Sequence, residues 1–195
     1  EFPYGRDSVA ISDQPINTLA VRDSEDELLL VAATAQGLQG FRYVKQEDFL
    51  SDEVVLVEEQ VELPVIDITA DWMLIGPDQR WLYVVSRNGD YRVIDVKANR
   101  LADSGQIITQ GRVTDVSFLL GDISLLVSSD QGLTAQWFMV REDGQLPRLE
   151  AIREFQAGDA AISKVAVEHR RIGCGWGGGA DRLRGAGAAA GRGGV

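Results

Sequence analysis

No disulfide can form within this chain, since Cys174 is the only cysteine among its 195 residues. One cysteine leaves the redox compartment undetermined. Histidine is as scarce: His169 stands alone, which excludes a histidine-rich metal site and leaves a catalytic triad one candidate base. No apolar run approaches the roughly 18 residues that a membrane-spanning helix requires. No G-x-x-x-x-G-K-[ST] stretch is present, and the glycine-dense run from Gly175 to Gly179 follows no strand pattern, so a phosphate-binding loop is excluded. The opening Glu1-Phe2-Pro3-Tyr4-Gly5-Arg6 lacks a basic stretch leading into an apolar one and does not read as a signal peptide. It also lacks an initiator methionine. The expectation is an N-terminus internal to a longer protein, whose location missing targeting signals do not reveal.

What is present is acidic. The net charge is −11, and it is unevenly spread. Residues 170–195 carry Arg170, Arg171, Arg182, Arg184 and Arg192 against Asp181, a balance of +4, which leaves −15 on residues 1–169. A body of that sign repels phosphate backbones, so nucleic acid is not an expected partner. Solubility is the plain reading of the charge.

The chain repeats itself. Ile16-Asn17-Thr18-Leu19-Ala20-Val21, Val65-Ile66-Asp67-Ile68-Thr69-Ala70, Val113-Thr114-Asp115-Val116-Ser117-Phe118 and Ile162-Ser163-Lys164-Val165-Ala166-Val167 share one alternating pattern. They begin about 49, 48 and 49 residues apart, a spacing typical of propeller arrays. Alternation of apolar and polar residues predicts a half-buried strand at each. A more apolar second strand follows in three of them: Leu28–Ala33, Trp81–Val85 and Ile123–Val127. Glycine turns come next, at Gly37, Gly89 and Gly132, where a tight hairpin needs positive φ. Third strands are expected at 40–44, 91–96 and 135–140, and more polar fourth strands at 54–57, 106–108 and 149–152.

Four short strands per repeat, almost no helix and a polar outermost strand describe the blade of a β-propeller. An immunoglobulin-like sandwich also predicts strands, but no period near 48 residues. The expected fold is therefore all-β: a partial, WD-repeat-like propeller of about three to four four-stranded blades over residues 1–171. Gly89-Asp90-Tyr91-Arg92-Val93-Ile94-Asp95-Val96 resembles the end of a WD repeat, with Ile94-Asp95 standing for Trp-Asp. A partial ring leaves a sheet edge open, so poor stability, aggregation or pairing with a second copy is expected of it.

Past Arg171 the apolar pattern collapses. Residues 172–195 are almost entirely glycine, alanine and arginine, too poor in apolar surface to repay ordering. Two readings fit: a flexible linker, or an out-of-frame read, since GC-rich codons give these residues in any frame. The abrupt change inside a repeat favours the second.

No nucleophile constellation is visible. Asp67 and Asp115 stand at the same place in successive repeats, where carboxylates suit Ca²⁺; they also suit the capping of loops and turns, the reading the sequence favours. Trp72, Trp81, Trp137 and Phe138 offer aromatic surface, although Trp81 and Trp137 fall in strands that bury between blades. No catalytic, cofactor-binding or metal-binding residue is assigned, no cofactor is expected, and the chain does not read as an enzyme.

Several runs carry a family resemblance. They are Gly132-Leu133-Thr134-Ala135-Gln136-Trp137-Phe138-Met139-Val140-Arg141, Ile152-Arg153-Glu154-Phe155, Glu168-His169-Arg170-Arg171, Pro3-Tyr4-Gly5 and the stretch from Pro77 to Val84. Together they resemble the large inserted domain of phosphate ABC transporter permease proteins of proteobacteria, over residues 1 to about 171. The family continues after the paired arginines with Lys-Gly-Phe, whereas this chain has Ile172-Gly173-Cys174.

The resemblance implies a domain between the first two transmembrane helices of a membrane-embedded parent, on the periplasmic side of the bacterial inner membrane. It implies, as partners, a second permease, an ATPase and a periplasmic phosphate-binding protein. The expected function is a non-catalytic interaction or regulatory platform in phosphate import. A free-standing propeller adaptor is the alternative, and a propeller enzyme such as a lactonase a more distant one.

Overall fold

The computed structural model describes residues 11–47, 54–108, 110–156, 158, 160–168 and 171–176. Three four-stranded antiparallel sheets follow one another along the chain, each a simple meander. Blade 1 is β1 (Ile16–Asp23), β2 (Glu27–Thr34), β3 (Gly37–Glu47) and β4 (Val54–Val61). Blade 2 is β5 (Trp72–Ile75), β6 (Trp81–Val85), β7 (Asp90–Asp95) and β8 (Arg100–Gln106). Blade 3 is β9 (Val113–Phe118), β10 (Ser124–Ser129), β11 (Leu133–Val140) and β12 (Arg148–Gln156). A hairpin of β13 (Ile162–Glu168) and β14 (Arg171–Trp176) begins a fourth. Among the described residues no helix is long and apolar enough to cross a membrane.

Face-to-face packing of the blades explains their composition. A strand buried on one face alternates in polarity; a strand buried on both has no reason to. The β6 run Trp81-Leu82-Tyr83-Val84-Val85 is apolar and buried throughout. Trp81, Tyr83 and Val85 pack towards blade 3, with Val113, Leu125, Val127 and Met139. Leu82 and Val84 pack towards blade 1, with Ala20, Leu29, Val31 and Met73. The β10 strand repeats the division, since Leu126 joins Ile162 and Val165 on the far side of blade 3. Each filled boundary is worth several large side chains, at about 1.5–3 kcal/mol for each fully buried one.

Polar groups clasp each boundary. Gln79 Nε2 donates to the carbonyl oxygens of Arg22 and Glu27 between blades 1 and 2. Asp103 accepts from the Leu149 amide at 2.7 Å between blades 2 and 3. Asp115 accepts from the Val165 amide at 2.8 Å between blade 3 and the hairpin. One ion pair skips a blade: Arg22, on β1, meets Asp122, in the β9–β10 turn, at 2.7 Å.

The expected glycine turns are present, with positive φ at Gly37, Gly89 and Gly132. Two expectations need correction. The first strand of blade 2 is β5, at 72–75, and not the 65–70 segment. Ile66, Ile68 and Ala70 do pack on the core, while Val65 is 97% exposed. Their alternation reports one-sided burial of the chain returning from rim to centre, without ladder pairing. The fourth strand of blade 2 is Arg100–Gln106, not 106–108. Ile107 and Ile108 leave the ladder and bury in the core against blade 3. In the hairpin, β14 pairs with β13 from Arg171 opposite Glu168 to Trp176 opposite Ile162. A ladder is made by backbone groups, which glycine supplies as well as any residue. The remainder of the expected tail, 177–195, lies outside the described residues.

Candidate interaction surface

Two turns and one strand end converge between blades 2 and 3. The β5–β6 turn brings Asp78, the β9–β10 turn brings Ile123, and the end of β11 brings Phe138 and Arg141. They surround a concavity of about 440 Å³ floored by Trp81, Tyr83 and Met139. The rim turns apolar surface outward, with Ile123 60% exposed and Phe138 also exposed. Isolated exposed apolar residues are ordinary; two beside one aromatic-floored hollow are the composition of a docking site.

The charges here are tied to one another. Arg80 binds Asp95 through two hydrogen bonds, Nε to Oδ1 at 3.2 Å and a terminal nitrogen to Oδ2 at 2.9 Å. Asp95, at the position of the WD aspartate, is fully buried. The hydrogen bonds from Arg80 hold its carboxyl below the usual range, against the opposing pull of burial. The backbone amide of Ala98 and the charge of Arg100 act in the same direction as Arg80. With its guanidinium fixed, Arg80 lies over the Trp81 ring at 4.7 Å, and Arg141 approaches that ring at 5.5 Å. Both are within cation–π range. Arg141 also meets Asp78 at 3.7 Å. The Trp81 indole N–H is buried and finds no hydrogen-bond partner among the described residues.

Acid–base chemistry is not what this arrangement favours. Burial pushes the Tyr83 phenol far up, so it stays protonated, and its hydroxyl faces the Met139 sulfur at 3.9 Å. Asp95 is ionised but enclosed. What remains is shape, apolar surface and a guanidinium–carboxylate rim.

Asp67 and Asp115 are engaged separately. Asp67 pairs with Arg92 at 2.6 Å, and Asp115 holds the Val165 amide. The residue matching Asp115 in blade 2 is Asp71: each directly precedes a residue paired with the valine of a Val-Ser step, Val85 or Val127. Asp71 accepts from the Arg87 amide at 2.7 Å. Asp71 and Asp115 thus anchor backbone, as turn-capping residues do, whereas Asp67 engages the Arg92 side chain. Among the described residues no group of three His, Cys, Asp or Glu side chains gathers as metal ligands. Trp81 belongs to the core between blades 2 and 3, and the half-buried Trp72 and Trp137 pack against it. His169 lies outside the described residues. The sequence places Ile123 in a strand and Arg141 at the end of another, but does not reveal their meeting, which depends on how two blades stack.

Comparison with solved structures decides the architecture. Hsv2 of Kluyveromyces lactis superposes with a TM-score of 0.51 at 14% identity, over 75% of this chain and 49% of that one. The fold is that of a partial β-propeller. The complex of KlAtg21 with the coiled coil of AgAtg16 gives 0.52 at 12% identity, over 76% of this chain and 44% of that one. Saccharomyces cerevisiae Sqt1 gives 0.50 at 9% identity, over 78% and 38%. The chain thus spans about half the length of the propellers it matches, or less. No family model and no curated protein matches it in sequence.

Proposed function

We propose that this propeller arc is a non-catalytic interaction platform, with the concavity between blades 2 and 3 as its docking site. The observation that carries this reading is the pairing of exposed Ile123 and Phe138 with a Trp81 floor whose neighbouring charges are already neutralised. Such a hollow takes an apolar side chain of a partner at little desolvation cost. KlAtg21, one of the matched propellers, is solved with a coiled coil, which is consistent with partner binding on this architecture.

We further infer that the platform belongs to the permease of a phosphate ABC importer and faces the periplasm. The support is the sequence resemblance, strongest over Ala135–Arg141. That run forms most of β11 and ends at the rim of the concavity. The partners on this reading are the second permease, the ATPase and the phosphate-binding protein of the importer.

The test is calorimetric binding of the purified chain to the importer's phosphate-binding protein, repeated with Ile123→Asp. Saturable binding that weakens at least tenfold in the variant supports both readings. Binding that ignores the substitution removes the concavity as the site. If neither the phosphate-binding protein nor the detergent-solubilised remainder of the importer binds, the permease reading falls. An apolar span of about 20 residues on each side of this segment in the parent gene is the corresponding expectation for its coding sequence.

A further inference from the structure

The last strand of each blade is the edge of its sheet, and the three edges are built differently. An edge strand discourages further pairing by carrying charged side chains, or by an irregularity in its ladder. The β12 strand carries Arg148, Glu150, Arg153 and Glu154, and its ladder shifts register. The β8 strand carries Arg100, Asp103 and Gly105, and its ladder also shifts. The β4 strand has no lysine or arginine and pairs with β3 over all eight residues without a break. It opens with Val54-Val55-Leu56-Val57 and continues with Glu58-Glu59. Val55 is 48% exposed, Leu56 36% and Val57 37%. A long, regular, apolar edge is one that accepts another strand.

The neighbouring ladder fixes which backbone groups of β4 are free. The Lys45 amide donates to the Asp26 carbonyl at 2.8 Å, so Lys45 directs its backbone groups to the β2 side. Bonded and non-bonded pairs alternate along an antiparallel ladder. Leu56, opposite Lys45, therefore turns its N–H and C=O away from β3. Glu58 and Gln60, in the same phase, do likewise. Val57, one residue out of phase, directs its groups at Val44 of β3. Among the described residues no strand pairs with the outer side of β4.

Charge selects the occupant. Between Lys45 and Arg80 the sequence has no basic residue; seven acidic residues lie from Glu47 to Glu62 and three more reach Asp78, ten in all. Glu58 and Glu59, on the edge itself, are exposed. We propose that β4 takes up an extended segment of a partner protein as a fifth strand of blade 1, and that this segment joins an apolar run to adjacent lysine or arginine. Its apolar side chains lie beside Val55, Leu56 and Val57, and its cations beside Glu58 and Glu59, where opposite charges across a ladder attract. The outward amides and carbonyls hold the strand, and the side chains select it. A second copy of this chain would set one acidic edge beside another, which like charges oppose. The edge is separate from the concavity between blades 2 and 3 and does not depend on it.

Fluorescence anisotropy of the whole chain with a labelled, end-blocked peptide, Thr-Lys-Lys-Val-Ile-Val-Thr, provides the test. Saturable binding is expected, weakened roughly tenfold when both lysines of the peptide become glutamate. Hydrogen exchange should slow on binding at the amides of Leu56 and Glu58, while the Val57 amide is protected before and after. Leu56→Pro removes one outward amide, at a position where an edge strand accepts proline. It should weaken binding roughly tenfold and leave the circular dichroism of the chain unchanged. Should that variant not fold, Glu58→Lys combined with Glu59→Lys should make the chain prefer the glutamate peptide. Absence of saturable binding overturns the proposal. Binding without new protection at Leu56 and Glu58 overturns it in favour of charge attraction alone, and a dimer of the chain that Leu56→Pro dissociates overturns it in favour of a second copy.

Discussion

The side-chain amide of Gln79 donates to the carbonyl oxygens of Arg22 and Glu27, each at 3.1 Å, and so ties the β5–β6 turn of blade 2 to the first hairpin of blade 1. Gln79 is buried and its backbone is left-handed, with φ of 53°. Two effects therefore oppose each other at one position. The hydrogen bonds stabilise by about 0.5–1.5 kcal/mol apiece, while a left-handed non-glycine residue costs about 1 kcal/mol. Gln79→Ala keeps the backbone cost and loses both bonds, so it should destabilise by about 1–3 kcal/mol in urea unfolding. Gln79→Gly loses the same bonds but relieves the backbone, and its unfolding midpoint should fall between those of wild type and alanine. A glycine variant less stable than the alanine variant would falsify this account.

A contrast between two turn glycines separates strain from collision. Gly37 and Gly132 both have positive φ, at 126° and 77°. A Cβ on Gly37 meets nothing within 4 Å, whereas one on Gly132 overlaps the Gly158 carbonyl. Gly37→Ala should cost about 1 kcal/mol, the backbone term alone. Gly132→Ala should cost several kcal/mol, beyond the range of ordinary point substitutions, and should lose soluble expression. Equal thermal shifts in the two variants would contradict the collision.

Acid sensitivity should run through Asp95. Its carboxyl is held below the ordinary aspartate range in the folded chain, first by the hydrogen bonds from Arg80. A depressed folded value means that the unfolded chain takes up the proton more readily. The contribution is therefore complete above the unfolded aspartate value of about 3.9. It is lost as pH falls below that value towards the folded one. Asp95→Asn should lower stability at neutral pH and flatten the decline between about pH 4 and pH 2. Urea midpoints recorded across that interval for both proteins check it; parallel curves would show that another carboxylate governs acid unfolding.

Much of this architecture is legible in the sequence, and the exceptions have a common cause. The first strands of blades 1 and 3 and of the hairpin announce themselves at Ile16, Val113 and Ile162, because burial on one face imposes alternation. The glycine turns are readable because positive φ narrows the choice of residue. The 65–70 segment shows the same alternation, yet it is a connection: burial leaves a trace in composition, and ladder pairing does not. Arg100–Gln106 shows the converse, a strand made by its neighbour β7 with few apolar residues of its own. At the concavity between blades 2 and 3, Trp81 stands out in the sequence as an aromatic residue. Ile123 and Arg141 do not, since their proximity arises from stacking separate blades.

Arg22 and Asp122 reach past blade 2 to join blade 1 to blade 3 at 2.7 Å. An arc held only by contacts between successive blades can open or tighten like a fan. A tie between its first and third members is a chord, and a chord of fixed length sets the radius. The angle each blade subtends at the central axis, and with it the number of blades that complete a circle, is constrained by one guanidinium and one carboxylate that belong to neither of the filled interfaces.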